Sequence, residues 1–236
     1  MAVHTGNRRR FVAGLVGVPI ALAGSRWLAP VARASDPAAT PAVAADEALQ
    51  ALIDGNERFV AGDLASLDDL AEDRGRLVAG QSPFAVIVCC SDSRVPPELV
   101  FDQTLGELFV VRTAGQVLDE AARSSIVFGV DVLGAELLVV LGHSGCGAVD
   151  AALAALRGDA IPGFAYRFAE AIGPAAQSAL DQPGDQLDNA IRANIDLGVE
   201  RMRTAEPNLA AAVNDGRLEV VGAYYDLATG VVSFSA

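Results

Sequence analysis

The chain has 236 residues, of which 52% are hydrophobic, 20% charged and 6% aromatic. That composition excludes a disordered, collagen-like or coiled-coil protein and fits one compact domain with a sizeable core. Acidic residues outnumber basic ones 30 to 17, every base is an arginine, and the formal net charge is −13, so neither nucleic acid nor an anionic lipid surface is an expected partner.

The first 34 residues read as an address rather than as structure. Asn7-Arg8-Arg9-Arg10-Phe11-Val12 is a twin-arginine arrangement followed by an apolar run to about Ala23, and Ala32-Arg33-Ala34 offers a small-x-small cleavage site. This is the layout of an export signal, and the arginines resemble the twin-arginine signal, whose pathway carries folded proteins. The expected location is therefore periplasmic or extracellular. The apolar run is short and glycine-rich for a retained anchor, so no stable membrane association is expected after cleavage. Residues 1–34 hold five arginines and no acid, which leaves −18 on the remainder. An Ala/Pro/Asp stretch over 35–45 reads as a linker, and 46–236 as the folded domain.

From Asp46 an apolar face recurs at Leu49, Leu52, Ile53, Phe59 and Val60, which predicts a helix capped by Asp46 and ended by Gly62. Residues 85–90, 108–111 and 137–141 are short, almost wholly apolar runs, as strands buried on both faces are. Residues 119–133 are helix-like. The glycine-rich turn 142–147 leads into a helix over 149–156, and further helical periods run over 186–204 and 206–213. Residues 218–225 and 231–234 give two late strands. Apolar strands alternating with helices predict an α/β fold, with a central, mostly parallel sheet of four to five strands flanked by helices.

Functional groups in such sheets gather at the carboxyl ends of strands, and two of the predicted strands end in reactive clusters. Cys90-Ser91-Asp92-Ser93-Arg94 closes the first, and His143-Ser144-Gly145-Cys146-Gly147 closes the third. Cys90, His143 and Cys146 supply two thiolates and an imidazole. That set suits one Zn2+ with a fourth position left open, the pattern of catalytic rather than structural zinc. A buried cysteine is by default an inert small hydrophobe, and Cys89 is read that way, because adjacent side chains of a strand point to opposite faces. An odd number of cysteines argues against a disulfide framework. On pattern alone, a metal site and a plainly structural set both remain open. Asp92 and Arg94 follow Cys90 at two-residue steps and can project with it. Asp92 then accepts a hydrogen bond from the metal-bound water, and Arg94 holds Asp92 ionised and aimed through a bidentate contact.

Cys90-Ser-Asp-Ser-Arg-Val-Pro together with Gly142-His-Ser-Gly-Cys-Gly-Ala-Val149 closely resembles the β-class carbonic anhydrases. The resemblance extends to Leu52-Ile-Asp-Gly-Asn-Glu-Arg-Phe59, to the segment 101–112 and to the segment 216–230, and so covers about residues 48–234. It implies that Cys90, His143 and Cys146 hold one Zn2+ per subunit. It also implies reversible hydration of CO2 to bicarbonate and a proton by a zinc-bound hydroxide, and it agrees with the roles given to Asp92 and Arg94. Gln81 matches a glutamine that donates a hydrogen bond to substrate in the family's ungated subgroup. Phe109 and Phe128 match pocket-lining aromatic positions, Phe128 standing where a tyrosine is common, with plain core packing as the alternative for both. Gly147 belongs with the substrate pocket in the same way. Ile87 stands where a bicarbonate-gated subgroup carries tryptophan, so an open metal site is expected. A homodimer or homotetramer is implied, with the helix around 49–60 reaching across a partner. Gln116 departs from the asparagine that commonly follows Ala-Gly, and Pro96-Pro97 from a single proline. Other readings are hydrolysis of carbonyl sulfide or carbon disulfide on the same scaffold, or a non-catalytic zinc- or bicarbonate-binding protein. A thiol redox protein is disfavoured, because Cys89-Cys90 is not a Cys-x-x-Cys motif.

Overall fold

Four parallel strands and one antiparallel strand make a single sheet in the computed structural model, which describes residues 43–65 and 70–235. The export signal read over 1–34 and the part of the linker before residue 43 lie outside the described residues. Strands β1 (Ala85–Cys90), β2 (Leu108–Thr113), β3 (Leu137–His143), β4 (Glu219–Tyr225) and β5 (Val232–Ser235) are arranged in the order β2-β1-β3-β4-β5. The first four run parallel and β5 pairs antiparallel with β4. The helices are α1 (Ala45–Ala61), α2 (Leu70–Arg76), α3 (Pro97–Val100), α4 (Glu120–Val127), α5 (Gly147–Leu156), α6 (Tyr166–Ala179), α7 (Gln186–Thr204) and α8 (Pro207–Asn214). None of the helices among the described residues is long and apolar enough to cross a membrane.

All six residues of β1 and all seven of β3 are buried, because helices cover both faces of the sheet. Val86, Val88, Leu138 and Val140 pack on one face with Ile126 of α4, Leu153 of α5, Ile172 of α6 and Ile191 of α7. Ala85, Ile87, Leu137 and Val139 pack on the other with Ala48 and Leu52 of α1 and with Phe101. Cys89 belongs to this second face and Cys90 to the first, as strand alternation requires.

Helix α1 is anchored by polar contacts as well as by Leu52. The Asn56 amide donates to the carbonyls of Val100 (3.0 Å) and Gly230 (2.9 Å), and its oxygen accepts from the Val232 N–H (2.8 Å). Gly62 ends the helix at φ 74°, as expected. Asp46 does not cap it: the cap position is Ala44, and Asp46 lies in the first turn, where its charge complements the helix N-terminus.

Two other elements differ from the sequence expectation. The helix read over 119–133 is capped by Asp119, whose carboxylate accepts from the Ala122 N–H (2.8 Å). It stops being α-helical at Val127 and continues over Phe128–Val132 as one wider π turn. Helix α6 has no counterpart in the sequence reading. It carries Gly173 and Pro174 in its interior, two residues that ordinarily argue against a helix.

Candidate active site

Because β1 and β3 are adjacent and parallel, their carboxyl ends emerge side by side. Cys90 is the last residue of β1, His143 the last of β3, and Cys146 immediately precedes α5. Gly145 takes φ 64°, a left-handed conformation that glycine adopts at little cost, and it reverses the chain between His143 and Cys146. The result is a buried cluster in which the ligand atoms of Cys90, His143 and Cys146 all lie within 4.8 Å of one another.

The protonation of His143 follows from one contact. Its Nδ1 lies 3.0 Å from the carbonyl oxygen of Ser144. A carbonyl only accepts, so Nδ1 carries the proton and Nε2 presents a lone pair. That Nε2 is buried and has no hydrogen-bond partner. A ring fixed through Nδ1 with Nε2 bare beside two sulfurs is the arrangement a metal ligand needs.

The sulfurs are polarised to match. The Cys90 sulfur accepts from the Gly115 N–H at 3.3 Å. Its thiol is driven well below the ordinary range, first by the neighbouring Cys146 thiol and then, against the opposing effect of burial, by the N–H groups of Gly115 and Asp92. Cys146 is pushed up by Cys90 and by burial, and is eased by the Val149 and Ala148 N–H groups at the start of α5. A divalent cation takes both sulfurs as thiolates. The donor set and its geometry fit Zn2+. Cys89, facing away, is pushed up to about 12 by burial and is chemically inert.

Asp92 and Arg94 form the expected fork. Arg94 Nε donates to Asp92 Oδ1 (2.9 Å) and Nη2 to Oδ2 (2.7 Å), while the Arg94 backbone N–H also donates to Oδ1 (2.9 Å). Arg94 holds the Asp92 carboxyl well below the usual carboxylate range, against a smaller opposing effect of burial. Arg112, to which the sequence reading gave no role, donates from Nε to the Cys90 carbonyl (3.1 Å) and from Nη2 to the Asp92 carbonyl (2.7 Å). It lies opposite Cys89 in the β1–β2 ladder, a register that has to be known before its targets can be named. Gly147 is exposed, and nothing lies within 4 Å of where its Cβ would be, so the chain leaves open space next to Cys146.

Gln81, Phe109 and Phe128 are not brought to this cluster within one chain. Phe109 pairs with Val86, whereas Cys90 pairs with Thr113, a separation of about 13 Å along the strand. Phe128 packs on Phe109 with ring centroids 6.1 Å apart. The Phe84 N–H is bonded to the Glu107 carbonyl (2.9 Å), which pins the chain at the amino end of β1. From there three residues back to Gln81 reach about 10 Å, while Cys90 lies about 20 Å along the strand. Gln81, Phe109 and Phe128 therefore lie towards the amino ends of the strands, and Cys90, His143 and Cys146 at the carboxyl ends.

Residues 85–232 match the family model for carbonic anhydrase. Over 184 residues the chain is 41% identical to carbonic anhydrase 2 of Mycobacterium tuberculosis, an alignment covering 78% of this chain and 89% of the relative. Its fold matches the β-carbonic anhydrase of Coccomyxa, solved in complex with acetazolamide, with a TM-score of 0.63 at 26% identity over 78% of this chain and 85% of that one. The chain belongs to the β-carbonic anhydrase family. It is also 40% identical to the carbonic anhydrase of Mycolicibacterium smegmatis over 186 residues, covering 78% of this chain and 90% of the relative. The family match spans β1 to the start of β5 and both segments that carry Cys90, His143 and Cys146.

Proposed function

We propose that the chain is a zinc enzyme that interconverts CO2 and water with bicarbonate and a proton at Cys90, His143 and Cys146. The observation that carries this reading is the bare, buried Nε2 of His143 within 4.8 Å of two sulfurs. Bound there, zinc would supply the acidification of a water in its remaining position, making a nucleophile available near neutral pH.

The chain's own groups do the rest. Asp92, kept ionised by Arg94, can only accept a hydrogen bond, so it orients an incoming water with its lone pair turned towards substrate. Arg112 fixes the backbone carbonyls of Cys90 and Asp92, which sets the position of the carboxylate relative to the first sulfur. Gly147 leaves room for a small linear molecule beside Cys146.

The separation of Gln81, Phe109 and Phe128 from Cys90 within one chain supports a homodimer or homotetramer, in which a second copy completes each pocket. The two rings make an apolar wall suited to neutral CO2, and the Gln81 amide steadies the charged product. Export through the twin-arginine signal belongs to the same proposal. A folded, zinc-loaded protein would reach an oxidising compartment with its thiolates already protected. Replacing Arg8 and Arg9 by lysine should then retain the protein in the cytoplasm.

The deciding experiment is stopped-flow CO2 hydration on zinc-loaded protein alongside Cys90→Ser, with metal content measured on both. One zinc per wild-type chain and a rate lost in the variant support the reading. Equal rates, or no stoichiometric zinc, overturn it.

A further inference from the structure

The turn after β2 contains two consecutive residues in the left-handed region, Gly115 (φ 63°) and Gln116 (φ 46°). Gly115 suits such a conformation, but a glutamine there is strained, and an asparagine would tolerate it better. Gln116 is also 4% exposed, and neither its amide nitrogen nor its amide oxygen has a hydrogen-bond partner. A buried amide that forgoes its hydrogen bonds weakens folding, and an apolar side chain of equal length would be more stable. Gln116 thus carries two costs, and both fall where the backbone meets the metal ligands.

The surroundings show what the residue acts on. The turn aims the Gly115 N–H at the Cys90 sulfur (3.3 Å), and the Asn194 side chain holds the Gly115 carbonyl from α7 (3.0 Å). The Gln116 side chain runs inward beneath Gly142, the residue before His143. A Cβ on Gly142 would lie 3.2 Å from Gln116 Nε2, and 2.6 Å from Ile195 Cγ1. One residue therefore adjoins the support of the first sulfur through its backbone and fills, with its side chain, the space a Cβ on the residue before His143 would face.

We propose that Gln116 is a positioning residue for the metal centre, bracing the Gly115 turn against Cys90 and the Gly142 backbone behind His143. Strain and an unsatisfied polar group concentrated in one residue are the marks of a site held in shape at the expense of stability. The proposal rests on the zinc reading above.

The test is Gln116→Met in the full chain, which keeps the side-chain length and removes the amide. Wild-type zinc content is measured first, and a wild-type chain that binds no zinc overturns the zinc reading and this proposal together. With wild type loaded, the variant should release zinc to a chelator about tenfold faster, as loss of an outer-shell support typically does. Its cobalt-substituted form should show altered thiolate-to-metal absorption, while the melting temperature of the metal-free form stays level or rises. Zinc release within twofold of wild type, with an unchanged cobalt spectrum, overturns the proposal alone. Should Gln116→Met not fold, Gln116→Gly, which relieves the backbone strain and removes the amide, is read by the same criteria.

Discussion

Arg94 grips Asp92 at three points, through Nε, Nη2 and its own backbone N–H, at 2.7 to 2.9 Å. A carboxyl whose folded pKa is depressed contributes stability above its unfolded value, near 3.9, and loses that contribution as pH falls through the folded value. Asp92 is depressed in this way, so it stays charged across neutral and mildly acidic pH. In Arg94→Ala its carboxyl should titrate closer to the ordinary range. The acid limb of the pH–rate profile should move upward, and kcat should fall about a hundredfold. Arg94→Lys should recover part of the rate, since an ammonium keeps the charge without the fork. Stopped-flow kinetics extended from pH 3 to 9 read both effects.

Metal removal has a stability signature. On the proposed function, zinc binds the folded cluster and not the dispersed side chains, so at a thousandfold excess over Kd it should add about 4 kcal/mol. For a domain of this size, chelation should lower Tm by about 10 °C, and added zinc should restore it. Calorimetry on loaded and chelated protein checks this.

Asn56 bonds three backbone groups in two separate segments, at the end of α3 and at the start of β5. In Asn56→Ala the Val100 and Gly230 carbonyls and the Val232 N–H lose that partner inside the fold. The expected loss is about 3 kcal/mol, visible as a lower urea midpoint at unchanged slope. Zinc content per folded chain should not change, since α1 packs on the face of the sheet opposite Cys90.

His143 is the one histidine after residue 34, and its Nε2 faces the two sulfurs. With residues 1–34 removed as proposed, no second imidazole remains to carry the product proton away. Turnover should therefore rise with the concentration of an external buffer such as imidazole and level off only at high concentration. Rates independent of buffer across that range would count against this route.

The strands were legible because the sheet is covered on both faces. Ala85–Cys90 is six buried residues, and an apolar run of that length has few other uses. Gln186–Thr204 was legible from its helical period, and Asp185 caps it with bonds from the Leu187 and Asp188 N–H groups (2.8 and 3.0 Å). Helix α6 was hidden by Gly173 and Pro174, whose local preference is overruled by packing of Ile172, Ala175 and Ala176 against the core. The three ligands stood out as rare residue types at strand ends. The contacts behind them did not. That Gly115 turns its N–H to Cys90, or that Arg112 reaches two carbonyls across the ladder, depends on register and backbone angles that no residue type announces. The same holds for the distance between Gln81 and Cys90, which only the direction of β1 reveals.

That direction has a genetic corollary. In the oligomer proposed above, each polypeptide would carry the chemical half of one pocket at one pole of its sheet and the lining half of another at the opposite pole. A copy crippled at Cys90 and a copy crippled at Gln81 would, on pairing, rebuild one sound pocket from their undamaged halves. Co-expression of two silent alleles should then rescue activity that neither yields alone.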